Sequence, residues 1–112
     1  MSSNRKEEEV RARISYVLPH DMDRIYVTAY GERVTVTLDT HGMKTRTAKK
    51  AITDIIKLFR TFPFTLKVVH GHRNGLATKD MLWYQIWPEF RSRVRAIRLD
   101  PDNEGVSICT IV

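Results

Sequence analysis

A strand, an amphipathic helix and a second strand follow one another in the first half of the chain, and this succession constrains the fold most. Arg33–Leu38 alternates apolar and polar residues, which is typical of a half-buried strand. Apolar residues then recur every three or four positions from Ala48 to Phe59, which predicts a helix with Thr45 as its N-cap. Phe64–Val69 is a short run of β-forming residues. A right-handed crossover between the two strands would make them parallel neighbours.

The flanking segments predict a larger sheet around this unit. Ile25–Tyr30 precedes a Gly31-Glu32 turn, so it forms a hairpin with the first strand. Residues 76–87 are helical in pattern and stop at Pro88, and Arg93–Leu99 and Val106–Val112 read as two antiparallel strands. The predicted fold class is α/β: a two-layer β-α-β-α-β-β mixed sheet with an added N-terminal β-hairpin.

The length of 112 residues predicts one domain. Residues 1–23 are expected to form an N-terminal arm before a domain spanning 24–112. The first 13 residues are rich in charge, and few apolar residues are available to tie them down, so we expect a mobile or weakly helical segment there.

Charge points to anionic partners. The formal net charge is +6, and residues 39–112 carry all of it, since acidic and basic side chains cancel before that point. Such a domain favours nucleic acids or acidic membrane surfaces, although a merely soluble basic surface is an equal alternative. No apolar run approaches the roughly 20 residues of a membrane helix, so we expect no membrane-spanning helix, and we assign no membrane partner. No secretory signal is recognisable and Cys109 is the single cysteine, which predicts a reducing, cytoplasmic location.

Two loops carry the functional argument. Asp39 and His41 lie where the first parallel strand ends, and residues two apart in an extended chain share a face. Both groups can transfer protons near neutral pH when their surroundings tune them. His70–Gly75 lies where the second parallel strand ends. Ligands of open α/β sheets bind at this edge, and helix N-termini there favour anions such as phosphate.

The stretch Leu38-Asp39-Thr40-His41-Gly42, followed by the loop His70-Gly71-x-x-x-Gly75, resembles the Smr (small MutS-related) domain. The likeness covers residues 34–112. It implies a two-layer α/β domain that binds DNA or RNA, often with endonuclease activity, in repair, recombination or RNA quality control. The resemblance further implies repair proteins or the ribosome as partners.

The resemblance implies that Asp39 and His41 are the catalytic residues. Gly71 and Gly75 match two of three loop glycines implicated in nucleic-acid binding, while Arg73 replaces the middle one and Arg46 stands where acidic residues are common. The complete set that we assign to nucleic-acid binding is Gly42, Lys44, Arg46, His70, Gly71, His72, Arg73, Asn74, Gly75 and Lys79. Of these, His72 and Arg73 are the preferred phosphate contacts, whereas His70 is expected to end a buried strand.

Other readings of the same residues stay open. Asp39, His41, His70 and His72 could gather around a divalent metal such as Mg²⁺, but no established ligand spacing is present and no cofactor is assigned. The chain could also be a non-catalytic module for structured nucleic acid, or a protein-interaction domain that uses its hairpin as a contact edge.

Overall fold

The computed structural model describes residues 5–60, 62–72 and 75–112. Its helices are α1 (Arg5–Val17), α2 (Thr45–Leu58), α3 (Leu76–Met81) and α4 (Trp87–Glu89), with a 3₁₀ turn at Met22–Arg24 and a π-helical turn at Leu82–Ile86 that joins α3 to α4. Its strands are β1 (Ile25–Tyr30), β2 (Arg33–Asp39), β3 (Phe64–Val69), β4 (Val94–Asp100) and β5 (Asn103–Ile111).

The five strands form one mixed sheet in the order β1-β2-β3-β5-β4. Strands β2 and β3 are parallel, and the other three neighbouring pairs are antiparallel. The predicted hairpin, the parallel crossover through α2 and the antiparallel closing pair are therefore all present, and the predicted α/β class is confirmed. Strand β5 lies between β3 and β4, so β4 runs in the direction of β2 and β3 without touching either.

The core lies between one face of the sheet and the helices. Strands β2 and β3 alternate strictly between buried residues and half-buried or exposed ones, as their sequence pattern requires. Helix α2 packs its apolar side against the buried residues of these strands, and its fully buried members are Ala48, Ala51, Ile52, Ile55 and Ile56. The radius of gyration of 13.3 Å is that of a compact domain of this length.

The N-terminal segment differs most from expectation. Arg5–Val17 is a 13-residue helix, and its Val10 and Ile14 lie inside the core with almost no exposed surface. Arg11 also donates a hydrogen bond of 2.9 Å to the carbonyl oxygen of Ile25. Two buried apolar residues four apart lie on one side of a helix, and packing this side against the apolar core holds the helix in place. The segment is thus a packed element rather than a loosely attached arm.

Several local details also differ from the prediction. Helix α2 begins at Thr45, so its N-cap is Lys44 and not Thr45. The pairing between β4 and β5 skips from Val94 to Ala96, so a bulge interrupts the strict alternation predicted for this strand. Strand β5 begins at Asn103, within the segment predicted as a turn. Among the described residues, no helix combines the length and the apolar character needed to cross a bilayer.

Candidate functional site

Strand pairing brings the two sequence-predicted loops together at one edge of the sheet. Asp39 at the end of β2 pairs with Val69 at the end of β3. Just beyond, the backbone N–H of Thr40 donates to the carbonyl oxygen of Val69 at 2.9 Å, and the Thr40 hydroxyl donates to the same oxygen at 3.0 Å. Thr40 is buried. The loops after β2 and β3 therefore leave the sheet side by side, and we call this region the carboxyl edge.

The Asp39 carboxylate shapes the first loop. Its Oδ1 accepts the backbone N–H of His41 at 2.9 Å, and the next turn closes when Met43 N–H donates to the Thr40 carbonyl at 2.9 Å. Gly42 has a φ of +80°, a conformation that side-chain-bearing residues rarely adopt. His41 and Gly42 are exposed at the tip, whereas Asp39 is half-buried behind them. The carboxylate thus holds the loop that presents the imidazole.

Arg24 is a loop-positioning residue that sequence analysis missed. Its Nη1 donates to the carbonyl oxygens of Asp39 at 3.2 Å and of His41 at 2.5 Å. The hairpin explains this contact: Ile25 pairs with Leu38, so the residue before β1 lies beside the residues that follow β2. That register could have been read from the hairpin turn, and it would have placed this guanidinium at the loop.

His70 is buried and belongs to the framework of the second loop. Its Nδ1 lies 2.8 Å from the Gly71 carbonyl oxygen and its Nε2 lies 2.9 Å from the Ser107 hydroxyl, which also accepts the Trp83 indole N–H at 2.9 Å. A carbonyl only accepts, so Nδ1 carries the proton and Nε2 accepts from Ser107. Burial lowers the pKa of His70 below 6.5, against the raising effect of the Gly71 carbonyl. His70 is therefore a neutral structural residue.

Glycines allow the second loop to fold back on the sheet. The N–H groups of His70 and Gly71 both donate to the Gly105 carbonyl, at 2.9 and 3.0 Å. Gly71 has a φ of +87°. A Cβ on Gly75 would lie 1.7 Å from the His70 carbonyl oxygen, so no other residue fits there without rearranging the loop. The backbone of the loop thus requires glycine at these positions, whether or not the loop binds a ligand.

The remaining predicted binding residues divide into three groups. Lys44, Arg46 and His72 are exposed around the carboxyl edge. Lys79 is half-buried, with its Nζ 5.8 Å from the centroid of the Trp83 ring, and its positive charge contributes to the lowered pKa of His70. Arg73 and Asn74 lie outside the described residues.

The N-terminus of α2 adds positive potential to this edge. Lys44 is the N-cap and makes no side-chain cap hydrogen bond, and the first turn of the helix holds no acidic residue. The first N–H groups and the helix dipole therefore face the same region as Lys44 and Arg46. This arrangement suits an anion such as phosphate.

The cluster of possible metal ligands that the sequence left open does not form among the described residues. Within residues 5–60, 62–72 and 75–112, no three His, Cys, Asp or Glu side chains come close enough together to hold an ion. Both ring nitrogens of His70 are already engaged in hydrogen bonds. Burial raises the pKa of Cys109 to about 12, so this thiol is an inert part of the core.

Comparison with models of known protein families, with characterised proteins and with solved structures gave no match.

Proposed function

We propose that this chain is a nucleic-acid-binding domain of the Smr type that cleaves phosphodiester bonds at its carboxyl edge. The observation that carries the proposal is the pair of hydrogen bonds from Thr40 to Val69, which sets the two loops side by side. The exposed imidazoles of His41 and His72 lie on these two neighbouring loops. Histidine is the side chain best suited to proton transfer near neutral pH.

The charges around the edge support binding of a phosphate. Lys44 and Arg46 are exposed beside the uncapped N-terminus of α2. Cations, free backbone N–H groups and a helix dipole stabilise the same anion, and binding through them weakens as salt concentration rises. The predicted contact at Arg73 would add a guanidinium to this set.

His41 and Asp39 have different roles in the proposed reaction. With an RNA substrate, His41 would take the proton of the 2′-hydroxyl while the 2′-oxygen attacks the phosphorus. The bond from phosphorus to the 5′-oxygen then breaks, and that oxygen takes a proton from water, leaving a 2′,3′-cyclic phosphate and a 5′-hydroxyl. Asp39 is a positioning residue here, because its Oδ1 holds the His41 backbone.

One observation favours a second candidate, a binding module without catalysis. The Asp39 carboxylate holds the His41 backbone, and this structural role accounts for the residue without any catalytic step. We further propose a cytoplasmic location, which the free cysteine supports, with partners at the ribosome or in DNA repair.

The test measures binding and cleavage of labelled single-stranded RNA, duplex DNA and branched DNA, each with and without Mg²⁺. We expect His41→Ala to lower the cleavage rate by roughly 100-fold or more while binding stays within a few-fold. His20→Ala is the control, because His20 is an exposed histidine that belongs to neither loop. Asp39→Asn keeps an oxygen that accepts the His41 N–H, so it should retain more activity than Asp39→Ala.

The outcomes separate the alternatives. If the unmodified protein bound nucleic acid without cleaving it, the function would be that of a binding module without catalysis. Cleavage that survives in His41→Ala would refute the assigned proton transfer. Absence of binding at low salt would refute both functions. Cleavage only with Mg²⁺ would show that a metal joins the residues of the edge.

A further inference from the structure

The helices cover one face of the sheet, and no described residue outside the strands covers the opposite face, which we call the open face. Residues that alternate with the core positions of β1 and β2 point to this face. Strand registers align them into rows that cross all five strands. One row consists of Tyr26, Thr37, Lys67, Ile108 and Arg98, and the next consists of Thr28, Thr35, Thr65, Thr110 and Ala96. Each row is about 19 Å long, from the usual spacing between strands.

Two exposed aromatic rings stand at one side of the open face. Tyr26 is 58% exposed and Tyr30 is 87% exposed. They are four residues apart on β1 and share its outward side, which separates them by about 13 Å. Aromatic rings on an open sheet are suitable stacking partners for bases.

Cations accompany the aromatic rings. Lys67 lies in the middle of the Tyr26 row and Arg98 at its far side. Near Tyr30, the face deepens into a cleft of about 590 Å³ that Arg33 and Arg95 line together with threonines from three strands. Glu32 also lines this cleft, but its carboxylate lies 3.9 Å from Lys6 Nζ. The open face therefore has a clear positive excess.

We propose that the open face binds single-stranded nucleic acid. Bases stack on Tyr26 and Tyr30, while Lys67, Arg98, Arg33 and Arg95 neutralise phosphates. Unpaired bases are required, because the faces of paired bases are buried in the stack of a duplex and cannot reach rings on a sheet. A protein partner fits less well, since threonine and basic residues occupy most of the face and Ile108 is itself buried.

The open face is continuous with the carboxyl edge. Thr37 belongs to the Tyr26 row, and Asp39 is the next outward residue on the same strand. A single-stranded nucleic acid that crosses the rows would thus lead to the loop that carries His41. This inference shares with the proposed function only the chemical class of the ligand, and it holds whether or not the edge cleaves.

The experiment measures the affinity of the full chain for fluorescent oligouridylate and oligothymidylate of about 12 nucleotides, and for a duplex of the same length. We expect Tyr26→Ala and Tyr30→Ala each to weaken single-strand binding by roughly 5-fold or more. The matched control is Tyr16→Ala, which removes an 88% exposed tyrosine from α1 in the helical layer. It should bind like the unmodified protein.

Charge gives a second, independent readout. Lys67→Gln should lower the slope of log affinity against log salt by about 0.7 for a single strand. Lys57→Gln, an exposed lysine of α2, should leave that slope unchanged. A difference between the uridylate and thymidylate ligands would distinguish RNA from DNA as the strand preferred.

Unchanged affinity in both tyrosine variants would overturn the inference. If His41→Ala and Arg46→Gln then reduced binding or cleavage, the proposed function would stand without it. If the duplex bound as tightly as the single strands and equally in all variants, phosphate attraction alone would explain binding and the open face would have no role. If Tyr26→Ala abolished binding of a partner protein but left nucleic-acid binding unchanged, the open face would be a protein interface instead.

Discussion

His70 owes its role to its neighbours rather than to its position in a motif. Trp83 donates to Ser107, Ser107 donates to His70 Nε2, and His70 Nδ1 donates to the Gly71 carbonyl. Trp83, Ser107 and His70 thus each have a partner in this series of hydrogen bonds, in which an uncharged imidazole accepts the Ser107 proton at Nε2. The loop that follows β3 is thus tied to β5 and to the helical layer through one ring.

Acid should weaken this arrangement. Burial lowers the folded-state pKa of His70 below its ordinary value of 6.5, so the unfolded chain binds the proton more readily. The stabilising contribution is therefore complete above about pH 6.5 and declines as the pH falls toward the folded-state pKa. We expect the free energy of unfolding, measured with urea at pH values across this window, to fall more steeply for the unmodified protein than for His70→Gln.

At neutral pH, His70→Ala should lower the free energy of unfolding by roughly 1–3 kcal/mol, because it leaves the Gly71 carbonyl and the Ser107 hydroxyl without the imidazole as partner.

His20→Gln serves as the control for the pH series, since that histidine is exposed. Equal pH slopes for His70→Gln and the unmodified protein would show that His70 does not set the acid sensitivity.

At the scale of elements, Arg93 joins α2 to the closing strand pair. Its Nη1 donates to the Ile56 carbonyl at 3.0 Å, its Nη2 donates to the Phe59 carbonyl, and its Nε donates to the Val112 carbonyl at 2.6 Å. Two of these acceptors lie at the C-terminal end of α2, where the helix dipole favours a cation. One guanidinium thereby satisfies carbonyls that the helix leaves unpaired.

Arg93→Met should therefore lower the free energy of unfolding by about 3 kcal/mol or more, because several hydrogen bonds to a charged donor are lost at once. Arg93→Lys should recover only part of this loss, since a lysine cannot reach three carbonyls in one plane. Arg95→Met is the control, as Arg95 is exposed in the neighbouring bulge. Urea unfolding of the three variants checks this, and similar stability for Arg93→Met and Arg95→Met would contradict it.

Elements with regularly spaced apolar residues were predictable from the sequence. Hydrogen bonds from arginine side chains to backbone carbonyls were not. The alternation in β2 and β3 and the apolar repeat of α2 reflect burial directly, so the sequence pattern contains them. Arg24 and Arg93 act on carbonyl oxygens that every residue possesses, so the sequence does not identify their acceptors, and only the hairpin register places Arg24 beside the first loop. The carboxyl edge was predictable because it follows from strand order, whereas the roles of Asp39 and His70 within it depend on local geometry.

At the scale of the whole molecule, α1 belongs to the helical layer that closes the core. Arg13 donates to the Leu58 carbonyl at 3.1 Å and lies 5.0 Å from the Phe59 ring centroid, while Ile14 is completely buried. The open face has no such cover from residues 5–60, 62–72 and 75–112. The sheet therefore depends on α1, α2 and the helical segment after β3 to shield its apolar side, and residues 24–112 alone would leave part of that side bare.

Ile14→Ala tests whether α1 is part of the folding unit. Truncating a completely buried isoleucine should cost roughly 2–5 kcal/mol, which includes the cavity that remains. Val17→Ala is the matched control on the same helix: Val17 is 40% exposed, and its replacement should change stability by no more than about 0.5 kcal/mol. Urea unfolding provides both values. A cost for Ile14→Ala as small as that of Val17→Ala would mean that α1 packs too weakly to stabilise the sheet. Functional tests could then use residues 24–112. If the cost is large, as we expect, those tests require the full chain.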